Sequence, residues 1–207
     1  MRHLLTPALL SLLFAACGLA EGDQDQDNKH IYIHFQDPHF EAYCLSQFDL
    51  NEDGHVSRYE AQRAVQMDCA GLKIASLSGI GEFINLRSLD CGNNLLEDLD
   101  VTRSRGLETL ICTQNRLTVL RVESLRVLKV LQCGGNKLER LDLRGDVSLS
   151  LLLCDHNDLS VLDVSGCASN MDRLNAKENP RLSVVYKSKN QRIVQSELDA
   201  HTTLQDR

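Results

Sequence analysis

Asp49, Asn51, Asp53, Ser57 and Glu60 set five oxygen-bearing side chains within twelve residues, at positions 1, 3, 5, 9 and 12 counted from Asp49. Carboxylate, amide and hydroxyl oxygens are hard donors. A hard cation such as Ca2+ takes six to eight of them, and a closing glutamate supplies two. His55 at position 7 would add its backbone carbonyl, and Gly54 occupies position 6, where such a loop turns sharply. The chemistry expected of this segment is Ca2+ binding.

The twelve residues resemble an EF-hand loop at every diagnostic position, including apolar Val56 at position 8. The preceding segment must position Asp49. There Asp37 offers an N-cap and Pro38 a first-turn proline. Phe40, Cys44 and Phe48 then recur every fourth residue, as on one helix face. The loop is single, so the expected affinity is weak, with a dissociation constant of about 0.1–1 mM, and the ion would act as a staple. Upstream, His30, His34 and His39 straddle a strand-like run in which Ile31, Ile33 and Phe35 share a face. Those histidines read as solvent-side residues.

Beyond residue 64 the chain repeats itself. Segments opening at Leu86, Leu107, Leu128 and Leu149 are 21 residues apart, and Met171 opens another after 22. The first four align without gaps as LxxLxCxxNxLxxLxV, the form of a leucine-rich repeat, with irregular outer copies around Met67-Asp68-Cys69 and from Leu174-Asn175-Ala176 to Asn179. The fold class expected is an α/β solenoid: a right-handed coil of about six turns with short parallel strands, capped by the helix–loop–helix. In each turn the Leu and Cys of Leu-x-Cys point inward. The amide of the following Asn (Asn94, Asn115, Asn136, Asn157, Asn179) is expected to satisfy buried backbone groups of adjacent turns.

Cys69, Cys91, Cys112, Cys133 and Cys154 thereby stack in one inward column. Strands about 4.7–4.9 Å apart carry parallel side-chain vectors, which suits neither a disulfide nor tetrahedral metal binding. Packed thiols are expected; the pairing of Cys44 and Cys167 stays open. The residues beside the inward ones must face out of the concave sheet. Thr109, Ile111, Val130, Gln132, Leu151 and Leu153 gather there, with Asp155 and His156 at the rim, as a candidate partner-binding face.

The start of the chain reads as an address. Arg2-His3, the apolar run 4–14 and Ala15-Ala16-Cys17-Gly18 form a signal peptide whose end resembles a bacterial lipobox, with Cys17 acylated. The alternative is cleavage after Gly18-Leu19-Ala20 and release. The organisation expected is signal and lipobox 1–17, disordered tether 18–30, EF-hand-like cap 31–63, repeats 64–186, and a cap and frayed tail 187–207. With 22 Lys and Arg against 29 Asp and Glu, the net charge of -7 speaks against duplex nucleic acid as a partner.

In this order, the signal, acidic tether, Ile-x-Phe-x-Asp-Pro-x-Phe lead-in at 33–40, calcium loop and LxCxxNxL repeats resemble exported bacterial leucine-rich-repeat lipoproteins. The resemblance implies a monomeric calcium-binding scaffold at the outer membrane or cell surface. It would be held by a lipid anchor, with a protein or surface polymer on its concave face. The other reading is a purely structural, calcium-stapled envelope component. No enzyme is expected, because Cys154, the nearest thiol to His156, faces inward and no other catalytic constellation is present.

Overall fold

The computed structural model describes residues 28–207. The expected lipidation site Cys17 and most of the tether lie outside the described residues. Helix α1 (Pro38–Phe48) starts where the sequence places it. The Asp37 carboxylate accepts from the backbone N–H groups of His39 at 2.8 Å and Phe40 at 3.1 Å, and its other oxygen takes the Ala75 N–H at 2.7 Å. Burial opposes the Asp37 charge, but these donors outweigh it and hold the carboxyl below its ordinary value. One residue thus caps the helix and ties it to the first coil. Phe40 and Cys44 are buried, Phe48 partly so.

The second helix, α2 (Arg58–Ala61), is a single turn, so the cap is far shorter on this side than a helix–loop–helix implies. Its length has a local cause. Ser57 and Glu60 form a reciprocal capping box, and the chain then turns into strand β1 (Gln66–Asp68) after only four more residues.

From β1 the chain winds as a parallel solenoid. One seven-stranded sheet contains β1, β2 (Ser88–Asp90), β4 (Thr109–Ile111), β6 (Val130–Gln132), β7 (Leu151–Leu153), β9 (Asn170–Asn175) and β11 (Arg192–Glu197). The opposite side carries β3 (Asp98–Asp100) beside β5 (Val119–Arg121). It also carries β8 (Val161–Asp163), β10 (Val184–Lys187) and β12 (Thr203–Asp206). The core lies between these layers. Leu89, Leu110, Leu131, Leu152 and Leu174 pair in register along it, and all are fully buried. The column cysteines sit just past each strand end and extend its ladder, as where the Cys112 N–H donates to the Gln132 carbonyl at 2.8 Å.

The tail differs from expectation. Residues beyond 187 do not fray: β11 pairs with β9 and β12 with β10, making a further coil. Gln191, buried at its entry, donates its amide to the carbonyls of Val164 and Ala168, each at 2.9 Å.

The asparagine column behaves as the pattern requires. Asn157 accepts the Leu138 N–H at 3.0 Å and donates to the carbonyls of Cys133 at 3.0 Å and Cys154 at 3.2 Å. Its buried amide therefore joins two turns. Asn157→Ala leaves these groups bare in the interior, at about 1–3 kcal/mol for each unmet group. A loss of roughly 3 kcal/mol by denaturant titration is expected. Asn157→Asp should cost about as much, since a carboxylate cannot donate to the two carbonyls. A change below ~1 kcal/mol in both would show that the column does not hold the turns together.

Candidate binding face and calcium loop

The sheet register sets two outward rows across the seven-stranded face. One row runs Gln66, Ser88, Thr109, Val130, Leu151, Arg173, Gln195, and the other runs Asp68, Asp90, Ile111, Gln132, Leu153, Asn175, Glu197. All six candidate residues on β4, β6 and β7 point out of the sheet and are half-buried by their neighbours. Val130 and Leu151 are adjacent in the first row, and Ile111 and Leu153 flank Gln132 in the second. An apolar centre therefore sits between polar ends. One end carries Asp68 and Asp90; at the other, Arg173 is paired with Glu197 at 2.6 Å.

At one edge of this face Glu108 bridges Arg87 at 3.0 Å and Lys129 at 2.7 Å, spanning β2, β4 and β6. The hydrogen bonds from Lys129 and then Arg87 hold its carboxyl below the ordinary value. At the opposite rim, His156 Nδ1 lies 3.0 Å from Asp155 Oδ2. His156 itself has φ +52.

That backbone state belongs to the repeat. Asn93, Gln114, Gly135, His156 and Glu178 occupy one column, and each has φ between 52 and 68. Left-handed backbone is costly for residues with a Cβ. A Cβ on Gly135 would lie 2.3 Å from the Gln114 amide nitrogen, so a side chain there would have to push the Gln114 amide aside. Together with Gly134, Gly135 notches the rim between Gln114 and Asp155. The Gly134-Gly135 pair in the sequence was the available sign of this notch beside the candidate face.

Across the candidate calcium loop, Asp49 accepts from the N–H groups of Asp53 at 3.1 Å and Gly54 at 2.9 Å. Asn51 donates to Asp53 Oδ2 at 2.9 Å, and Tyr32 Oη donates to the same oxygen at 3.2 Å. Glu60 closes the loop: Oε1 accepts the Leu50 N–H at 2.9 Å, and Oε2 accepts from the Ser57 N–H at 2.8 Å and hydroxyl at 2.7 Å. Outside the loop, the Ile33 N–H donates to the Val56 carbonyl at 2.8 Å and the Arg58 N–H to Ile31 at 2.8 Å. The strand-like lead-in thus pairs with the loop's far side.

The loop draws its expected ligand residues into one turn, but their oxygens are spent on one another and on backbone donors. Among the described residues, no group of three or more His, Cys, Asp and Glu side chains stands at metal-holding distance. The donor set suits Ca2+ chemically. Binding would require Glu60 to exchange the Ser57 hydroxyl, and Asp53 the Asn51 amide, for the ion.

The seven described cysteines are free and buried. Burial pushes the Cys69, Cys133 and Cys167 thiols up to about 12, and Cys91, Cys112 and Cys154 also rise well above the ordinary value. They pack as small apolar groups with little thiolate character.

No protein-family model matches the chain, and no curated protein matches it. Among solved structures it is similar to the functional domain of InlJ from Listeria monocytogenes, described as including a cysteine ladder. The identity is 25% and the TM-score 0.64, over 80% of this chain and 38% of that one. It is also similar to an internalin, inlF, from Listeria monocytogenes str. 4b F2365, at 18% identity and TM-score 0.61, over 80% of this chain and 52% of that one. The chain thus spans about two fifths of the first of these chains and one half of the second. With its parallel coils, asparagine column and stacked cysteines, the chain is a parallel β-solenoid that resembles the leucine-rich-repeat solenoids of the internalins.

Proposed function

We propose that this chain is an exported, calcium-stapled scaffold that binds a protein through the apolar centre of its seven-stranded face, and that acylation of Cys17 anchors it at the outer membrane or cell surface. The observation that carries the reading is the sheet register. It brings Ile111, Val130, Leu151 and Leu153 together on three neighbouring strands, pointing away from a core that is already filled by Leu110, Leu131 and Leu152. Half-exposed apolar side chains gathered on one sheet face suit a contact surface. Likeness to internalin solenoids supports a scaffold rather than an enzyme.

Capture from the native envelope tests the proposal. The wild-type chain should retain a partner that the Leu151→Glu/Leu153→Glu double variant loses while its melting curve stays close to wild type. Equal retention by both would place the contact elsewhere, and no partner in either case would leave the purely structural reading.

The calcium reading rests on the residue types at Asp49, Asn51, Asp53, Ser57 and Glu60, with His55 adding a carbonyl. Bound only by the folded state, Ca2+ at ~100 times its dissociation constant would add about 2.7 kcal/mol of stability. The melting temperature should rise with millimolar Ca2+ and fall back with chelator. Asp49→Ala should abolish the rise. Glu60→Ala should also lower the chelated protein's stability, because Glu60 is half of the capping box. A wild-type melting curve unmoved by millimolar Ca2+ would reduce the loop to a hydrogen-bonded turn.

A further inference from the structure

The chain's positive charge is gathered in its middle. Nine Lys and Arg face four Asp and Glu between residues 103 and 144, although the whole chain has 22 against 29. The fold places most of this excess on the side away from the seven-stranded sheet. A cleft of about 690 Å³ is lined by Arg103, Arg105 and Arg126 with Thr102, Glu123 and Ser124. A second, of about 430 Å³, shares Glu123 and adds Arg121, Lys137 and Arg140. A third, of about 400 Å³, shares Arg140 and Asp142 with the second and adds Arg144. The three form one continuous track across successive turns.

Ion pairing leaves much of this charge uncompensated. Arg103 is held by Glu82 at 2.9 Å, and Arg144 holds Asp142. Glu139, on the same track, lies 3.8 Å from Arg181. Arg105, Arg121, Arg126, Lys137 and Arg140 are exposed and have no carboxylate within ion-pair distance among the described residues. Among the described residues, Glu123 is the one carboxylate of the track without a cation at ion-pair distance.

We infer that this track binds an extended anionic polymer carrying repeated carboxylate or phosphate groups, seated on the side of the solenoid opposite the protein-binding face. Guanidinium groups suit both oxyanions, because their planar forks can donate two parallel hydrogen bonds to either. The spacing favours a polymer over a single anion: the turns repeat the cations along a groove longer than one oxyanion needs. The clefts favour a polymer over a bilayer, since a single chain can enter successive clefts of about 690, 430 and 400 Å³ and a flat surface cannot. The chain's net charge of -7 would oppose adsorption of a polyanion anywhere else. This inference does not depend on the concave face or on calcium.

The test measures binding of the full chain to polygalacturonate, to inorganic polyphosphate and to phosphatidylglycerol vesicles at two salt concentrations. Arg105→Glu/Arg126→Glu is compared with Lys189→Glu/Arg192→Glu, which makes the same charge change at exposed residues outside the clefts, and melting curves check that both fold. Binding to a soluble polymer that weakens with salt, falls at least tenfold in the cleft variant and changes less than threefold in the other supports the inference. Which of the two polymers binds more tightly assigns the source as a carboxylated or a phosphorylated chain. Equal losses in both variants would reduce the effect to net charge and overturn it. Binding to vesicles alone would make the track a membrane-facing surface, and binding to none of the probes would make it a solvated face; either result overturns the assignment.

Discussion

Leu152→Glu is expected to unfold the solenoid, whereas Leu151→Glu and Leu153→Glu on either side of it should leave the fold standing. Leu152 is fully buried and lies in register between Leu131 and Leu174. Removing its side chain alone costs about 2–5 kcal/mol, and a carboxylate in its place finds no partner in an apolar column. The loss should exceed about 4 kcal/mol, a large share of a domain's usual 5–15 kcal/mol. Leu151 and Leu153 face outward and are half-buried, so a charge there can reach water; about 1 kcal/mol or less is expected for each. Denaturant titration of the three single variants measures the difference. Comparable losses in all three would make the outward leucines part of the core and remove the proposed face.

The second large effect is one of pH. Asp146 is fully buried at the turn entering β7. Its Oδ1 accepts the Leu125 N–H at 2.8 Å, and its Oδ2 has no partner. The backbone around it is tightly packed: Ser124 has φ +67, and a Cβ on Gly145, at φ +88, would lie 3.0 Å from Ser124 Cα. Burial pushes the Asp146 carboxyl up to about 7; the Leu125 hydrogen bond works against this, while Glu123 on the preceding turn and Asp142 on its own add to it. The Cys167 thiol on the next turn feels the same charge and is raised by it, after burial.

Below the ordinary value of 3.8, Asp146 is protonated whether the chain is folded or unfolded, and pH has no leverage through it. Between that value and about 7 the unfolded chain releases the proton while the folded chain keeps it, so stability falls as pH rises. Above about 7 the loss is complete, on the order of 4–5 kcal/mol at ~1.4 kcal/mol per pKa unit. Asp146→Asn keeps an acceptor for Leu125 without the charge. It should flatten this part of the profile and be the more stable protein at pH 8. Parallel stability profiles for the two proteins between pH 4 and pH 8 would show that Asp146 is not the group responsible.

Much of the solenoid was legible because its signals are local and repeated. A 21-residue frame with Leu, Cys and Asn at fixed offsets specifies strand, core and backbone satisfaction in every turn, and the structure places Leu110, Cys112 and Asn115 as that frame requires. The outward residues followed from alternation alone. The tail was not legible as a coil, because its inward positions are degenerate. Ser196 stands opposite Leu174, and Asp199 takes the Glu178 and Asn179 N–H groups at 3.3 and 3.2 Å, on a turn where the Asn-centred pattern is lost. Only the spacing from Met171 to Ile193, again 22 residues, continued the repeat.

The short α2 was hidden for another reason. Ser57 and Glu60 satisfy two patterns at once, the last ligands of a calcium loop and a helix capping box, and sequence spacing does not separate them. The basic track was obscured by the net charge, which averages an acidic start and a cationic middle. Asp146 carries no sequence signal at all, since its burial depends on which turn stacks against it.

Whether a partner sits on the outward leucines is decided most directly by a photo-crosslinking side chain placed at Leu153, with a second at Val161 on the opposite side, which is 48% exposed. Irradiated in the native envelope, the Leu153 probe should yield a discrete protein adduct that the Val161 probe does not. Adducts of the same protein from Val161 and none from Leu153 would contradict the account.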